Sequence, residues 1–437
     1  MSASTNKNQI APAELDQSYW AIVKRQFKKN RMAVWSLRFI YVIIFVGVFS
    51  DFIANDLPIA CSYKGNTYFP VLNSYGVDLG ISKWPTDIAN VDWHELKYDW
   101  VLLPLIPYSP QYMDLKNSDF KGPFDVQDVP SFRFTHFLGT DKLGRDVMSG
   151  MIQGTRVAMM VGVISMSIAV ILGIILGAMA GYFGDSKLKM SRVRLYSNLL
   201  FFVFAVFYSF MVRSYAISDA LAAGIGGFVL ELLISIGIFI IIMLIPNLLT
   251  PLLKKIPFLG KQVSIPMDIL ISRLIEVKVS VPTILLILSI CAIMNKPSIF
   301  ITMIVIGFLG WTGIAKYVRA ELLKVRSLEF IEAAQAMGLS ESRIIFKHAI
   351  PNSLTSVLIT IAFGVAGAIL TESSLSFLGI GVAPEQVTWG SLLSAARSYV
   401  PAWWLAIFPG FAIFITVTIF NLIGEGLTDA LDPRMKQ

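Results

Sequence analysis

Residues 228–249 read FVLELLISIGIFIIIMLIPNLL, an almost wholly apolar run in which Glu231 is the one ionisable side chain. A helix rises 1.5 Å per residue, so this run would be about 33 Å long, enough to cross a hydrocarbon core of about 30 Å. Similar runs recur along the chain, and hydropathy predicts eight membrane spans in all. They lie near residues 33–54, 156–181, 197–216, 228–250, 276–294, 299–318, 352–377 and 402–424. The expected fold class is therefore an all-α polytopic membrane protein.

The overall composition also indicates a protein that lies mostly in lipid. Of its 437 residues, 55% are hydrophobic and 15% are charged, whereas soluble domains average roughly 25% charged residues. The net charge of +7 does not indicate a nucleic-acid partner, because the basic residues cluster beside apolar runs, as in membrane proteins. Cys61 and Cys291 are far apart in the sequence, so we expect neither a disulfide framework nor a metal site.

The distribution of basic residues predicts how the chain is oriented in the membrane. A basic cluster precedes the apolar residues 32–54, and this run is too long for a cleaved signal peptide. We expect an uncleaved first span with a cytoplasmic N-terminus, and an even number of spans returns the C-terminus to that side. Further basic residues fall in loops that this topology places in the cytoplasm. These residues are Lys187, Lys189, Arg192, Arg194, Lys254, Lys255, Lys261, Arg319, Lys324, Arg326, Arg343 and Lys347.

The longest polar segment, residues 55–138, is predicted to lie outside the cytoplasm. It has 10 acidic residues against 6 basic ones and is rich in Tyr, Trp and Pro. Its aromatic content argues against disorder, so we expect a small, largely non-helical subdomain. The alternative is a loose surface loop, because long loops often lack fixed structure.

Two features inside the predicted spans concern packing and transport. Gly173 and Gly177 form a GxxxG pattern, which permits close helix approach. Glu372 lies well inside an apolar block, with Ser373 and Ser376 beside it. A carboxylate at this depth is costly and usually faces a partner or water. These three residues are candidates for a translocation pathway, and hydrogen bonding between helices is the alternative.

A polar segment between two predicted spans has a distinct local pattern. Residues 327–340 read SLEFIEAAQAMGLS, which predicts a short helix that Ser327 caps. Gly338 suits the left-handed residue that ends such a helix. Ser340 is expected to cap a second helix, which runs to Pro351. The pattern predicts a helix, a sharp elbow and another helix on the cytoplasmic face.

The first of these helices suits docking into a groove. Phe330, Ala334 and Met337 recur at helical spacing, and the small side chains of Ala333 and Ala334 would let a partner's groove come close. Glu332 offers a charge that would orient the partner. The sequence thus indicates a docking site for another protein on this helix.

The same segment resembles the EAA loop of ABC importer permeases. Glu332-Ala333-Ala334, Gly338 and the hydrophobic–proline ending at residues 350–351 carry this resemblance. In that family the loop is the coupling helix that seats in a cleft of the ATPase subunit. The resemblance implies an ATPase-coupling role for Glu332, Ala333, Ala334, Gly338, Ile350 and Pro351.

Other stretches resemble the C-subunit branch of the dipeptide and oligopeptide permeases. They are LGTDKLGRDV at 138–147, GYFG at 181–184, LSFLGIG at 375–381 and ALDPR at 430–434. The aromatic outside segment looks most like the microcin C-type peptide permeases. The resemblance implies a type I importer bundle in the bacterial inner membrane, importing a peptide substrate with a second homologous permease, two ATPase subunits and an extracytoplasmic solute-binding protein. It further implies a non-catalytic subunit without catalytic residues, cofactor or metal.

One departure from that branch is large. About 80 residues that the family normally lacks follow GYFG, and they hold two predicted spans. Because they come as a pair, the downstream topology is preserved, and we expect a hairpin peripheral to the translocation path. The alternative is that the pair packs against the partner permease. The predicted division is 1–54 for the N-terminus and first span, 55–138 for the outside segment, 139–185 for the second core span, 186–266 for the inserted hairpin, and 267–437 for the core domain with its coupling loop at 319–351.

Other functional classes fit the sequence less well. No G-x-x-x-x-G-K-[ST] motif occurs, so this chain is not expected to bind ATP itself. A secondary transporter of small solutes, without ATPase partners, is the serious alternative. Such a protein would be expected to show internal inverted repeats and broken helices at matching positions, and no repeat is visible in the sequence.

Overall fold

The computed structural model describes residues 19–89, 91–94, 96–223, 225–253, 260–293, 297–383 and 386–431. The helices are α1 (Tyr19–Lys29), α2 (Arg31–Val48), α3 (Ser50–Ile53), α4 (Pro70–Asp78), α5 (Val147–Ala178), α6 (Arg192–Val206), α7 (Ser214–Ala223), α8 (Ile225–Leu253), α9 (Met267–Ser280), α10 (Thr283–Ile293), α11 (Ile299–Val325), α12 (Glu329–Ala336), α13 (Glu341–Ile344), α14 (Ile350–Phe377), α15 (Trp389–Ala396) and α16 (Trp404–Leu431). The strands are β1 (Ala60–Tyr63), β2 (Asn66–Tyr68), β3 (Trp100–Leu102), β4 (Lys189–Ser191) and β5 (Gln262–Ser264). Three π-helical turns lie at Met179–Phe183, Phe207–Met211 and Ile345–Ala349.

Seven helical stretches of the described chain are long and apolar enough to cross a membrane. They are Arg31–Val48, Val147–Phe183, Arg192–Ala220, Gly226–Leu248, Ile299–Val325, Val357–Phe377 and Trp404–Leu431. Each corresponds to a predicted span, so the expectation of an all-α polytopic membrane protein is confirmed.

The predicted span at 276–294 is wrong as a continuous helix. The chain instead forms α9 and α10, which meet at a bend of 80°. Pro282 lies in the break between them. A proline lacks the N–H that the preceding turn needs, and it disfavours helical backbone at the residue before it. The result is a broken span.

The chain divides into two compact units. One comprises residues 1–177 together with 275–437, and the other comprises residues 178–274. The predicted hairpin at 186–266 falls within the second unit. The finer domain boundaries at 54, 138 and 185 remain predictions.

The core of the first unit is centred on α11, which has the most buried apolar stretch among the described spans, at 61%. Met303 and Leu309 of α11 share a buried cluster with Val161 of α5 and Leu375 of α14. Helix α2 packs on α16 through a second cluster, in which Ile40 meets Ile419 and Ile423. These contacts gather α2, α5, α11, α14 and α16 into one bundle.

The GxxxG pattern of α5 packs against α11, which confirms its predicted role in helix packing. A Cβ atom on Gly173 would lie 2.6 Å from Cβ of Ile314, and one on Gly177 would lie 2.7 Å from the carbonyl oxygen of Ala315. Both distances are too short for a side chain. Glycine is therefore required at both positions by the closeness of the two helices.

The segment at 55–138 is largely non-helical, as expected from its composition. Its strands form an antiparallel sheet in the order β2-β1-β3, and its one α-helix among the described residues, α4, has nine residues. Cys61 is buried in β1 and is a free thiol. This segment has fixed structure rather than the form of a loose loop.

The second unit is a helical hairpin with a closed base. Helices α6 and α7 run against α8, and β4 pairs with β5 in an antiparallel ladder at the base. Arg213 forms an ion pair with Glu231, and its Nε donates to the Ser235 hydroxyl at 3.2 Å. This ion pair joins the two halves of the hairpin.

Candidate functional site

The coupling segment begins one residue later than predicted. Helix α12 starts after Leu328, and no side chain caps its first N–H groups. The Ser327 hydroxyl donates instead to the carbonyl of Lys324 at 2.8 Å, so it satisfies the end of α11. The prediction that Ser327 caps α12 is therefore wrong, because its hydroxyl instead donates to the carbonyl of Lys324, at the end of α11.

The elbow at Gly338 is as predicted. Its φ is +76°, in the left-handed region that favours glycine. Its N–H donates to the carbonyl of Gln335 at 2.9 Å, and the N–H of Leu339 donates to that of Ala334 at 3.2 Å. These two bonds form a Schellman motif. A Cβ on Gly338 would meet nothing within 4 Å, so the requirement for glycine comes from the backbone alone.

Helix α12 has one face turned inward and one turned outward. Ile331 and Ala334 are 0% and 3% exposed, so they pack within the chain itself. Glu332 and Ala333 are exposed. The prediction that Ala334 enters a partner's groove is therefore wrong, because its side chain already has neighbours in this chain.

The outward face of α12 is available to another molecule. The large apolar side chains here are Phe330, which is 43% exposed, and Met337, the residue that follows α12, which is 73% exposed. Glu332 and Ala333 lie between them. We call these four residues the outward face of α12.

The second limb of the elbow leads directly into a membrane span. Helix α13 and the following π-helical turn run through residues 341–349, and α14 then begins at Ile350 with Pro351 in its first turn. Proline is tolerated there because the first N–H groups of a helix need no intrahelical partner. The prediction that the second limb ends at Pro351 is corrected, because the helical path continues into α14.

The carboxylate of Glu372 is enclosed by the chain. The residue is 1% exposed, and Ser373 and Ser376 are each 3% exposed. The Ser376 hydroxyl donates to Oε1 of Glu372 at 2.6 Å. A Cβ on Gly390 of α15 would lie 2.4 Å from the Ser373 carbonyl oxygen, so α15 covers this stripe closely. The contacts favour hydrogen bonding within the bundle, and the pathway role of the three residues remains a prediction without exposure to support it.

A buried polar network outside the membrane was missed by sequence reasoning. His136 is fully buried, with Nδ1 2.9 Å from Asp146 and Nε2 3.3 Å from Asp114. Asp146 also accepts the N–H of Ser149 at 2.7 Å, at the start of α5. Tyr108 stacks on the imidazole at 4.4 Å. The local signal was an Asp three residues before a helical Ser, which is typical of an N-cap.

The charges of this network shift the pKa values of His136 and Asp114. Burial alone would lower the pKa of His136, but the carboxylates of Asp146 and Asp114 outweigh it and raise that pKa above its usual value. Burial alone would raise the pKa of Asp114, but hydrogen bonds from Asn117 and His136 lower it. The imidazolium of His136 and the carboxylate of Asp114 thus stabilise each other's charged forms.

A second polar cluster ties the end of the first span to α5. Arg156 pairs with Asp51 at 2.8 Å and donates from Nε to the carbonyl of Gly47 at 3.0 Å. The hydroxyl of Tyr75 and the amide of Gln153 donate to the same carboxylate, at 2.5 and 2.6 Å. Through Tyr75, these contacts join the segment 55–138 to the bundle.

Comparison with known proteins gives matches over most of the chain. Residues 258–437 match the family described as binding-protein-dependent transport system inner membrane component. Residues 18–69 match the N-terminal TM domain of oligopeptide transport permease C. Both matches cover elements of the first unit, and the first includes the whole coupling segment.

Individual relatives agree with these matches. The oligopeptide transport system permease protein OppC of Haemophilus influenzae is 31% identical over 71% of this chain and 77% of its own length. The dipeptide transport system permease protein DppC of Alkalihalophilus pseudofirmus is 30% identical over 69% of this chain and 73% of its own. The inner membrane ABC transporter permease protein YejE of Escherichia coli is 26% identical over 96% of this chain and 97% of its own.

The bundle of spans, with a helix, an elbow and a second helix between two of them, has the arrangement that the resemblance implied. The chain belongs to the binding-protein-dependent permeases of ABC transport systems, in the oligopeptide permease C branch. It is thus a multi-pass inner membrane permease, as the resemblance implied. The family does not favour a secondary transporter, and the likeness to the microcin C-type branch remains a prediction.

Proposed function

We propose that this chain is the non-catalytic membrane subunit of an ATP-driven importer for peptides or peptide-like solutes. It pairs with a second homologous permease, two ATPase subunits and an extracytoplasmic solute-binding protein. Two relatives are named for dipeptide and oligopeptide transport, and these names support the substrate class. The chain's task is to convert closure of the ATPases into alternating access.

The observation that carries this proposal is the outward face of α12. This face is a short amphipathic surface, apolar at Phe330 and Met337 and charged at Glu332, and it lies between two spans. A helix with such a face suits docking into a groove of another protein. Because α13 leads directly into α14, a push on the elbow would pass into the bundle.

The coupling surface therefore consists of Phe330, Glu332, Ala333 and Met337, with Gly338 as the elbow. Ala334 acts from inside, by packing α12 onto its own chain. Ile350 and Pro351 start the span that receives the motion. In the cell, both termini and residues 319–351 lie in the cytoplasm and residues 55–138 lie outside, which the distribution of basic residues supports.

The test is purification of the tagged chain from its native membrane. We expect a second permease and two ATPase subunits to purify with it, and ATP hydrolysis to rise when peptide-loaded binding protein is added. The complex carrying Glu332→Lys should hydrolyse ATP without this stimulation. Substrate uptake by the chain alone, driven by an ion gradient without ATP, would contradict the proposal.

A further inference from the structure

A cavity of about 330 Å³ lies in the first unit, where the start of α5, the end of α14 and helix α15 meet. Its wall includes Arg145, Gln386, Ser394 and Ser398, and Ser376 lies at one side. The volume is at the lower end of the range for small-ligand pockets, about 300–1,000 Å³. Under the proposed topology this cavity opens at the extracytoplasmic end of the bundle.

Arg145 is held in place by Asp141 with most of its donors unused. Oδ1 of Asp141 accepts the N–H groups of Leu143 and Arg145 at 2.9 and 3.0 Å, and Oδ2 accepts Nε of Arg145 at 2.7 Å. Asp141 is thus engaged at both oxygens and its side chain is 4% exposed, whereas the Arg145 side chain is 24% exposed. Among the described residues, the two Nη groups of Arg145 have no hydrogen-bond acceptor. The Arg145 side chain lines the cavity.

The opposite wall supplies an acceptor and two hydroxyls. Oε1 of Gln386 is buried and, among the residues that the structure describes, has no hydrogen-bond partner. A buried polar atom without a hydrogen-bond partner destabilises the folded protein. Ser394 and Ser398 are four residues apart at the end of α15 and both line the cavity. Ser391, by contrast, is engaged in the capping box with Thr388.

We propose that this cavity binds the C-terminal carboxylate of an incoming peptide, with Arg145 as the residue that recognises it. The planar guanidinium matches a carboxylate with two parallel N–H···O bonds, which an ammonium cannot do. Gln386 accepts the last peptide N–H, and the hydroxyls of Ser394 and Ser398 bond the remaining oxygens. This inference rests on the proposed function, because it names how that importer's substrate is recognised at the outer mouth.

The test measures binding to the assembled complex without binding protein, by equilibrium dialysis of labelled tri-alanine and of tri-alanine amide. The amide lacks the carboxylate. We expect the wild-type complex to prefer the acid roughly tenfold or more, as charge-assisted bonds imply. Arg145→Gln should remove that preference, because it should weaken binding of the acid at least tenfold and binding of the amide much less. Arg145→Lys should restore it only in part.

The matched control is Lys142→Gln, which removes the same charge three residues away. Lys142 is exposed and does not line the cavity, so its loss should leave the preference intact. Equal weakening of acid and amide by Arg145→Gln, or a loss of preference in Lys142→Gln, would overturn the inference. So would competition by inorganic phosphate as effective as that by tri-alanine, because it would indicate an unspecific anion site.

The outcome can be separated from failure of the proposed function. If no ATPases assemble with the chain, the proposed function fails before binding is measured. If the complex assembles and hydrolyses ATP, but Arg145→Gln binds both probes as the wild type does, only the inference fails. Gln386→Leu provides a second variant should Arg145→Gln not accumulate, and it should weaken both probes because both carry the last peptide N–H.

Discussion

At the residue scale, two positions require glycine for different reasons. Gly338 has a positive φ and open space around its missing side chain. Gly144 also has a positive φ, but a Cβ there would lie 2.0 Å from the carbonyl oxygen of Asp114. Gly338 therefore tolerates residues that accept the left-handed conformation, whereas Gly144 tolerates no side chain.

The first prediction follows for the elbow. Gly338→Val should cost about 1–2 kcal/mol locally, because β-branched residues resist positive φ. We expect it to uncouple ATP hydrolysis from peptide uptake while the protein stays in the membrane. Gly338→Asn is the control, because Asn visits the left-handed region more readily. Uptake at wild-type rates by Gly338→Val would show that the elbow does not transmit motion.

A second residue-scale prediction concerns pH and His136. The pKa of His136 is raised in the folded chain, so its stabilising effect is complete below the unfolded value of about 6.5. It is lost as pH rises through the folded pKa. Asp114 has a lowered pKa, so its contribution is present above about pH 4 and lost as pH falls through the folded value.

Thermal unfolding of the detergent-purified chain should therefore show a falling midpoint as pH is raised from 6 to 9. His136→Gln should flatten this part of the profile and cost about 3 kcal/mol, because it leaves buried carboxylates without their cation. If the unfolding midpoint of the wild type instead rises between pH 6 and pH 9, the raised pKa of His136 is contradicted.

At the scale of single elements, the faces of α12 decide which substitutions report on docking. Ala333 is exposed and Ala334 is buried, although they are neighbours with the same side chain. A large residue would be harmful at both positions, but for a different reason at each. At Ala334 it disturbs the chain's own packing, whereas Ala333 is exposed and would contact a partner only in the proposed complex.

The third prediction uses this pair. Ala333→Trp should leave the amount of protein in the membrane unchanged and reduce recovery of the ATPases at least tenfold. Ala334→Trp should lower the amount of protein itself, because overpacking costs about 1–3 kcal/mol. Immunoblots of membranes and of the purified complex measure both quantities. If Ala333→Trp assembles and transports normally, the outward face of α12 does not contact the ATPase.

At the scale of the whole molecule, the two units differ in how much of their membrane spans is buried. In the two spans of the second unit, 11% and 6% of the apolar stretch is buried inside the chain. In the first unit the corresponding share is 22% to 61%. The spans of the second unit therefore have apolar side chains that can contact lipid or another subunit, and their position beside the translocation path remains a prediction.

The fourth prediction is that the hairpin is dispensable for assembly. The carbonyl of Gly184 accepts the N–H of Met267 at 3.1 Å, so the ends of the insertion already lie together. Joining Gly184 to Pro266 should give a shorter chain that still purifies with its ATPases and transports peptide. A stable, assembled deletion complex that binds substrate and cannot move it would place the hairpin in the pathway.

The fifth prediction concerns orientation. Val126 is 92% exposed in the outside segment, and Ser340 is exposed beside the elbow. In cells with a permeabilised outer membrane, an impermeant thiol reagent should label Val126→Cys and not Ser340→Cys. Asn117 is fully buried and would give no label on either side. Labelling at Ser340 alone would invert the topology.

The sequence by itself determined the features that depend on local order along the chain. An apolar run of about 20 residues is long enough to cross the membrane. In lipid its backbone N–H and C=O groups must bond one another, as they do in a helix, so the spans were predictable. Gly338 was predictable as an elbow because backbone conformation depends on the residue itself. The break at Pro282 also has a local cause, which a hydropathy average over the surrounding residues conceals.

Only the tertiary structure decided which side chains face each other. The burial of Ala334, the enclosure of Glu372 by α15 and the position of His136 between Asp114 and Asp146 depend on contacts between residues distant in sequence. The cavity at Arg145 likewise needs segments more than 200 residues apart. Hydropathy and spacing describe one element at a time, whereas burial and charge pairing arise from how the elements pack.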